Sequence, residues 1–172
     1  PEEILAVTFT NKAAKEMENR VKKLLKTDDL SLSIGTFHSI CAKILREEIK
    51  ILGFSSSFAI YDVKDQLDLI KVLFADYNIS KNLISPNQLR NQISLYKNKM
   101  IDFKTVQRKA RTILEKTISD IYTEYQKNLK VNDALDFDDL LTFPLEIFKK
   151  KPLILKKYQK RWKYILVYEY QD

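Results

Sequence analysis

Apolar and polar positions follow two different periods along this chain. ILAVTF (4–9) is a continuous apolar run, too short for a helix and rich in strand-forming residues. A strand buried on both faces, as in a parallel sheet, is the expected form. The period then becomes helical. Ala13, Ala14, Met17, Val21, Leu24 and Leu25 share one stripe, which predicts a helix capped by Thr10 or Asn11 and running to about Lys26. LSIGTF (32–37) reads as a second short strand. It leads into a helix carrying Ile40, Ile44, Leu45, Ile49 and Leu52, with Gly53 at its C′ position. Strand, helix, strand, helix is the α/β pattern.

Past Gly53 the helical period dominates. After SSSFAIY, Asp62 is placed to cap a helix through about Tyr77, and Ser85-Pro86 opens another to about Lys99. From Asp102, the positions Phe103, Val106, Ala110, Ile113, Leu114, Ile118, Ile121, Tyr122, Tyr125 and Leu129 predict one long unbroken helix. Residues 57–133 are therefore expected to be an all-helical insertion. A further helix starts at Asp136, whose side chain can cap it, and Pro144 should kink it or end it early. A short basic helix (about 153–161) and the apolar run YILVY (164–168) restore the α/β pattern. The expected fold class is α/β, mostly α by content. Residues 1–56 and 134–172 form the sheet domain, and 57–133 form the insertion.

Charge changes this picture. The net charge is +7 and lysine dominates the basic residues, which favours a polyanionic partner such as nucleic acid. Lysine suits phosphates better than base edges, so contacts independent of sequence are expected. The single cysteine, Cys41, excludes an internal disulfide and fits a reducing compartment. No apolar run is long enough to span a bilayer, and PEEILAV carries acids where a secretory leader would be basic. A soluble, cytoplasmic protein with no membrane partner is expected. The only glycines are Gly35 and Gly53, so the chain holds no glycine-rich phosphate loop.

Candidate chemistry concentrates in four segments. ILVYEYQD (165–172) ends an apolar strand in acids, the arrangement that holds carboxylates at the carboxyl edge of a sheet for nucleotide hydrolysis. TFTNKAAKEM (8–17), GTFHSICAKIL (35–45) and LDFDDLL (135–141) precede it in that order. Together the four resemble the UvrD/PcrA/Rep family of superfamily 1 DNA helicases, along the whole chain. The resemblance implies a partial RecA-like parallel sheet with a helical subdomain between the TFH and DFDDL segments. It also implies that the chain is part of a longer helicase: its phosphate-binding loop would lie upstream and its second motor domain downstream. That protein would use ATP and Mg²⁺, translocate 3′ to 5′ on single-stranded DNA, and unwind duplex at a single-strand/double-strand junction.

Residue roles follow from the same resemblance. Phe9 in TFTNKAA would lie against a base, with Thr10, Asn11 and Lys12 beside it on single-stranded DNA. Thr36 and His38 would touch the DNA backbone, and Phe137 would line the same groove. Glu169 would activate the attacking water, while Gln171 and Asp172 would couple nucleotide state to the motor. Asp136, Asp138 and Asp139 read as a cap with helix-dipole acids rather than a metal cluster. Tyr168 departs from the pattern, because the family carries there the aspartate that holds Mg²⁺. A phenol is neutral at pH 7 and a poor ligand for a hard cation. Three readings stand at this point: a sequence anomaly, an inactivated relative, or a site that takes its metal ligand elsewhere. Two rivals to a helicase remain alongside: a non-catalytic nucleic-acid-binding paralogue, and the motor of a helicase–nuclease complex.

Overall fold

The computed structural model describes residues 2–26, 32–80 and 82–170. The chain divides into two compact units, Pro1–Leu52 with Phe143–Asp172, and Gly53–Thr142.

In the first unit, β1 (Ile4–Thr8) is the central strand of a three-stranded parallel sheet, between β2 (Ser33–Thr36) and β5 (Tyr164–Val167). Its apolar run is continuous because both faces are covered: Leu5, Ala6, Val7 and Thr8 are all buried. Leu5 and Val7 pack with Ile40 and Ile44 of α2 (Phe37–Glu48) and with Tyr158. Tyr158 sits on the helix Pro152–Arg161, the last in the chain. α1 (Asn11–Leu25) follows β1 directly, and the Thr10 hydroxyl accepts the Ala13 N–H at 3.1 Å as its cap. α2 ends in a 3₁₀ turn, Ile49–Leu52, and Gly53 follows with φ +76, where a side chain would be strained. β5 pairs with β1 alone among the described residues, and Tyr164, Ile165 and Leu166 on it are exposed.

The second unit is mostly helical. It contains β3 (Ala59–Tyr61), α3 (Val63–Asp76), α4 (Pro86–Asn98), α5 (Phe103–Lys109), α6 (Ile113–Val131) and β4 (Ala134–Asp136). α7 (Phe137–Lys150) begins in this unit, and Pro152–Arg161 is α8. The core gathers Ile70, Leu73, Phe74, Leu89, Ile93, Ile121, Tyr125 and Leu129. Each such side chain contributes on the order of 1.5–3 kcal/mol by leaving water. Asp62, Ser85 and Thr112 each close a reciprocal capping box with the residue three positions on.

Three expectations are corrected here. The long helix is two helices. Ala110 takes an extended backbone (ψ 125), and Thr112 with Glu115 starts α6 afresh. The apolar stripe resumes in phase across the gap, which hid the T-x-x-E signal. The stretch expected to be all helical holds a strand, because Ala59–Tyr61 finds parallel partners at Ala134–Asp136. Of the two outcomes expected at Pro144, a kink or an early end, the second does not occur: α7 runs on to Lys150. Proline removes one backbone bond there, yet Leu140 and Ile147 on either side are fully buried, and that burial keeps the helix going. Among the described residues, no helix is long and apolar enough to cross a membrane.

Candidate nucleic-acid interface

The strand register assembles the first part of the site. Thr8 of β1 stands opposite Thr36 of β2, so Phe9 and Phe37 emerge side by side at the carboxyl edge of the sheet. Their ring centroids are 5.3 Å apart, tilted by 47°. Phe9 is 47 % exposed, far from the burial of a core aromatic. The carboxyl edge of parallel strands is where open α/β sheets bind ligands.

Around Phe9, the candidates divide by what their side chains already do. Asn11 and Lys12 are exposed on the first turn of α1. Lys12 begins a ridge with Lys15, Asn19 and Lys23 on the outer face of that helix. Thr10 is exposed, but its hydroxyl is engaged as the α1 cap. Thr36 is buried, and its hydroxyl accepts the Ser39 N–H at 3.1 Å as the α2 cap. The Ser39 hydroxyl returns the bond to the Thr36 carbonyl at 2.9 Å. Gly35 permits this turn, since a Cβ there would collide with Ser39 Oγ. His38 is half-buried on the first turn of α2. Phe37 was missed by sequence reasoning; only the pairing of β1 with β2 marks it as the neighbour of Phe9.

β5 reaches the same edge. The Tyr168 N–H donates to the Val7 carbonyl at 2.9 Å and so extends the pairing by one residue. Val167 faces the α2 and α8 side of the sheet; by alternation Tyr168 faces the other side. There its ring borders a small cavity of about 80 Å³ with Ala13, Met17 and Val21 of α1. Glu169 follows with a left-handed backbone, φ 58, a conformation that costs a non-glycine residue about 1–2 kcal/mol. Gln171 and Asp172 lie outside the described residues.

The described residues supply only part of what the Mg²⁺ and ATP implied by the motifs would need. Tyr168, where the resemblance expects the metal's carboxylate, carries a phenol that borders the α1 cavity instead. Among the described residues, no three His, Cys, Asp or Glu side chains cluster to hold a metal. Neither glycine belongs to a phosphate loop: Gly35 makes room for Ser39, and Gly53 ends a helix. The Cys41 thiol is pushed up to about 11 by burial, which makes it inert.

Phe137 belongs to the second unit, where it is 43 % exposed at the start of α7. It borders an open groove of about 480 Å³ with Asp62 and with Val63, Lys64, Leu67, Asp68 and Lys71 of α3. The exposed ring suits a base on its aromatic face, while the charges lining the groove balance: Lys71 is paired with Asp68 at 2.8 Å, and Asp62 stands beside Lys64. The acids around Phe137 are structural. Asp136 Oδ1 accepts the Asp139 N–H at 2.9 Å, so Asp136 caps α7 as its position in the sequence suggests. Asp136 Oδ2 and Asp139 Oδ1 both receive the Lys97 ammonium, at 2.6 and 2.9 Å. Lys97 was also missed, although Leu89 and Ile93 put it on the apolar face of α4, four residues further on.

The UvrD/REP helicase N-terminal domain family matches residues 1–172. The chain belongs to that family. It is 40 % identical over 172 residues to the ATP-dependent DNA helicase PcrA of Bacillus subtilis (strain 168), covering all of this chain and 23 % of that protein. The PcrA of Staphylococcus aureus (strain Mu50 / ATCC 700699) is 38 % identical over the same length, with 24 % of it covered. The PcrA of Leuconostoc citreum is 36 % identical over 173 residues, with 23 % covered. The chain thus spans about a quarter of the length of these relatives.

Proposed function

We propose that this chain is an internal part of the N-terminal motor domain of an ATP-dependent DNA helicase that moves 3′ to 5′ along single-stranded DNA and separates strands at a single-strand/double-strand junction. One observation carries the reading: a family match along the whole chain coincides with a half-exposed Phe9, paired with Phe37, at the carboxyl edge of a parallel sheet. Phe9 serves as a stacking platform for a base, and Phe137 serves as another. Asn11, Lys12 and His38 contact the sugar–phosphate backbone, while Thr10 and Thr36 shape the turns that present them. The first unit is the RecA-like motor portion, and the helical residues from about 57 to 133 are its inserted subdomain. ATP and Mg²⁺ are used by the intact protein in the cytoplasm, with the phosphate loop supplied by sequence outside this chain. Glu169 orients the attacking water, and Gln171 and Asp172 relay nucleotide state.

The chain alone is expected to release no phosphate from ATP, with or without single-stranded DNA, because its sequence contains no glycine-rich loop to cradle phosphates. The intact protein is expected to hydrolyse ATP in response to single-stranded DNA and to unwind substrates with a 3′ tail. DNA-stimulated turnover by the purified chain, or unwinding of 5′-tailed substrates alone, would contradict this reading.

Phe9 gives a second test. Phe9→Ala in the intact protein is expected to weaken single-stranded DNA binding by about 1–3 kcal/mol, the worth of one stacked base. The loss of stability should be smaller than the roughly 3–5 kcal/mol of an emptied core site, because half the ring is already in water. Titrations should show little sequence preference and a steep fall with salt. A large drop in the denaturant midpoint with unchanged affinity would return Phe9 to ordinary packing.

Tyr168 favours a second reading, a paralogue that binds nucleic acid without hydrolysing ATP. The two readings separate on whether the intact protein turns over ATP at all.

A further inference from the structure

A buried ion network stands directly behind Phe137. Lys97 on α4 is almost wholly buried, its side chain 3 % exposed, and grips Asp136 and Asp139 together. The Tyr125 hydroxyl on α6 donates to the same Asp136 Oδ2 at 3.0 Å, and the ammonium lies 5.2 Å from the Tyr125 ring centroid. Next along α4, Asn98 Nδ2 donates to Asp138 Oδ1 at 3.0 Å. Both neighbours of Phe137, Asp136 before it and Asp138 after it, are therefore held by adjacent residues of one helix. Phe137 itself remains half exposed over the α3 groove.

Stability alone gives this arrangement no purpose. Taking an ammonium and two carboxylates out of water costs more than a well-packed apolar cluster of the same volume. What an ion network adds is a fixed geometry, since its bonds are short and directional. Here the fixed element is the β4–α7 junction, and the one exposed aromatic on that junction is Phe137. Burial alone would push the Lys97 ammonium down, but the charges of Asp139 and Asp136 more than reverse this, so Lys97 stays charged.

We propose that Lys97 is a positioning residue for single-stranded DNA: it clamps Asp136 and Asp139 so that the Phe137 ring is presented to a base. Asn98 and Tyr125 complete the clamp. The proposal rests on the reading of Phe137 as a base platform, and the test keeps the two apart.

The test is a double-mutant cycle in the intact protein with a labelled oligothymidine. It is read by anisotropy and by quenching of a 2-aminopurine placed in the strand. Phe137→Ala is expected to weaken binding about ten-fold, the range for one stacked base. Lys97→Met combined with Asp136→Asn and Asp139→Asn removes the ammonium without leaving buried carboxylates unpaired. That variant should weaken binding by a similar factor and lose the 2-aminopurine quenching. In the Phe137→Ala background it should cost about two-fold or less, because its effect runs through that ring. Tyr125→Phe is the milder companion should the triple change unfold the protein. It loosens the same clamp by one hydrogen bond, with an expected loss of about three-fold that vanishes without Phe137. Full affinity and quenching in the Lys97 and Tyr125 variants, with Phe137→Ala still weak, would overturn the positioning role and leave the platform standing. Equal losses in both backgrounds would also overturn it, since Lys97 would then support the fold at large. An unaffected Phe137→Ala protein would remove the platform itself, and the role of Lys97 with it.

Discussion

Tyr168→Asp in the intact protein is expected to raise DNA-stimulated ATP turnover by about 10²-fold or more. A carboxylate in place of the phenol supplies the negative oxygen that a hard cation requires at this position. Charge stabilisation by a correctly held metal amounts to several kcal/mol in the transition state, which sets the scale of the gain. The gain should come despite a loss of stability of about 1 kcal/mol, because the Tyr168 ring borders the α1 residues Met17 and Val21 and an aspartate does not replace that contact. Comparing turnover, denaturant midpoint and Mn²⁺ binding in the two proteins checks each part. Equal turnover would mean that the metal's carboxylate comes from another residue, and Tyr168 would be a sheet-face aromatic and nothing more.

The second large effect is on stability. Lys97→Met alone is expected to cost about 3–5 kcal/mol at neutral pH, because Asp136 and Asp139 are left buried without their counter-charge. The pH dependence follows from the two carboxyls. Burial first, with Asp136 nearby, pushes Asp139 up to about 7 from an ordinary 3.8, against the pull of Lys97. A group raised on folding contributes stability below its unfolded value and loses it as pH rises, here between about 4 and about 7. Asp136 is also opposed by burial, but the Lys97 charge and hydrogen bond hold it below the usual range. Its contribution has the opposite sign: present above about 4 and lost as pH falls further. Removing Lys97 takes away what keeps Asp136 low, so the deficit should be greatest above pH 7 and shrink below about pH 5 as both acids protonate. Urea midpoints of wild type and variant at pH 5 and pH 8 read this directly. A deficit equal at both pH values would place the cost in packing rather than in the carboxylates.

What the linear sequence determined is what local physics determines. Thr10, Asp62, Ser85-Pro86 and Asp136 cap helices using bonds that reach only two or three residues along the chain, so residue type and spacing expose them. The continuous run ILAVTF declared a strand covered on both faces, and β1 is that strand. Four segments in fixed order marked the family before any contact was known. Tertiary structure decided everything that depends on partners distant in sequence. Ala59–Tyr61 became a strand only because Ala134–Asp136 lies beside it. Phe9 gained Phe37 through strand register, and Thr36, in the segment the resemblance lays along the DNA backbone, is a buried cap whose role depends on β2 and α2. Lys97 reads as one more surface lysine among many until α4 is packed against the β4–α7 junction. There the apolar surroundings that exclude water make its charge consequential, because a buried ion is tolerated only where its counter-charges are held within hydrogen-bond reach.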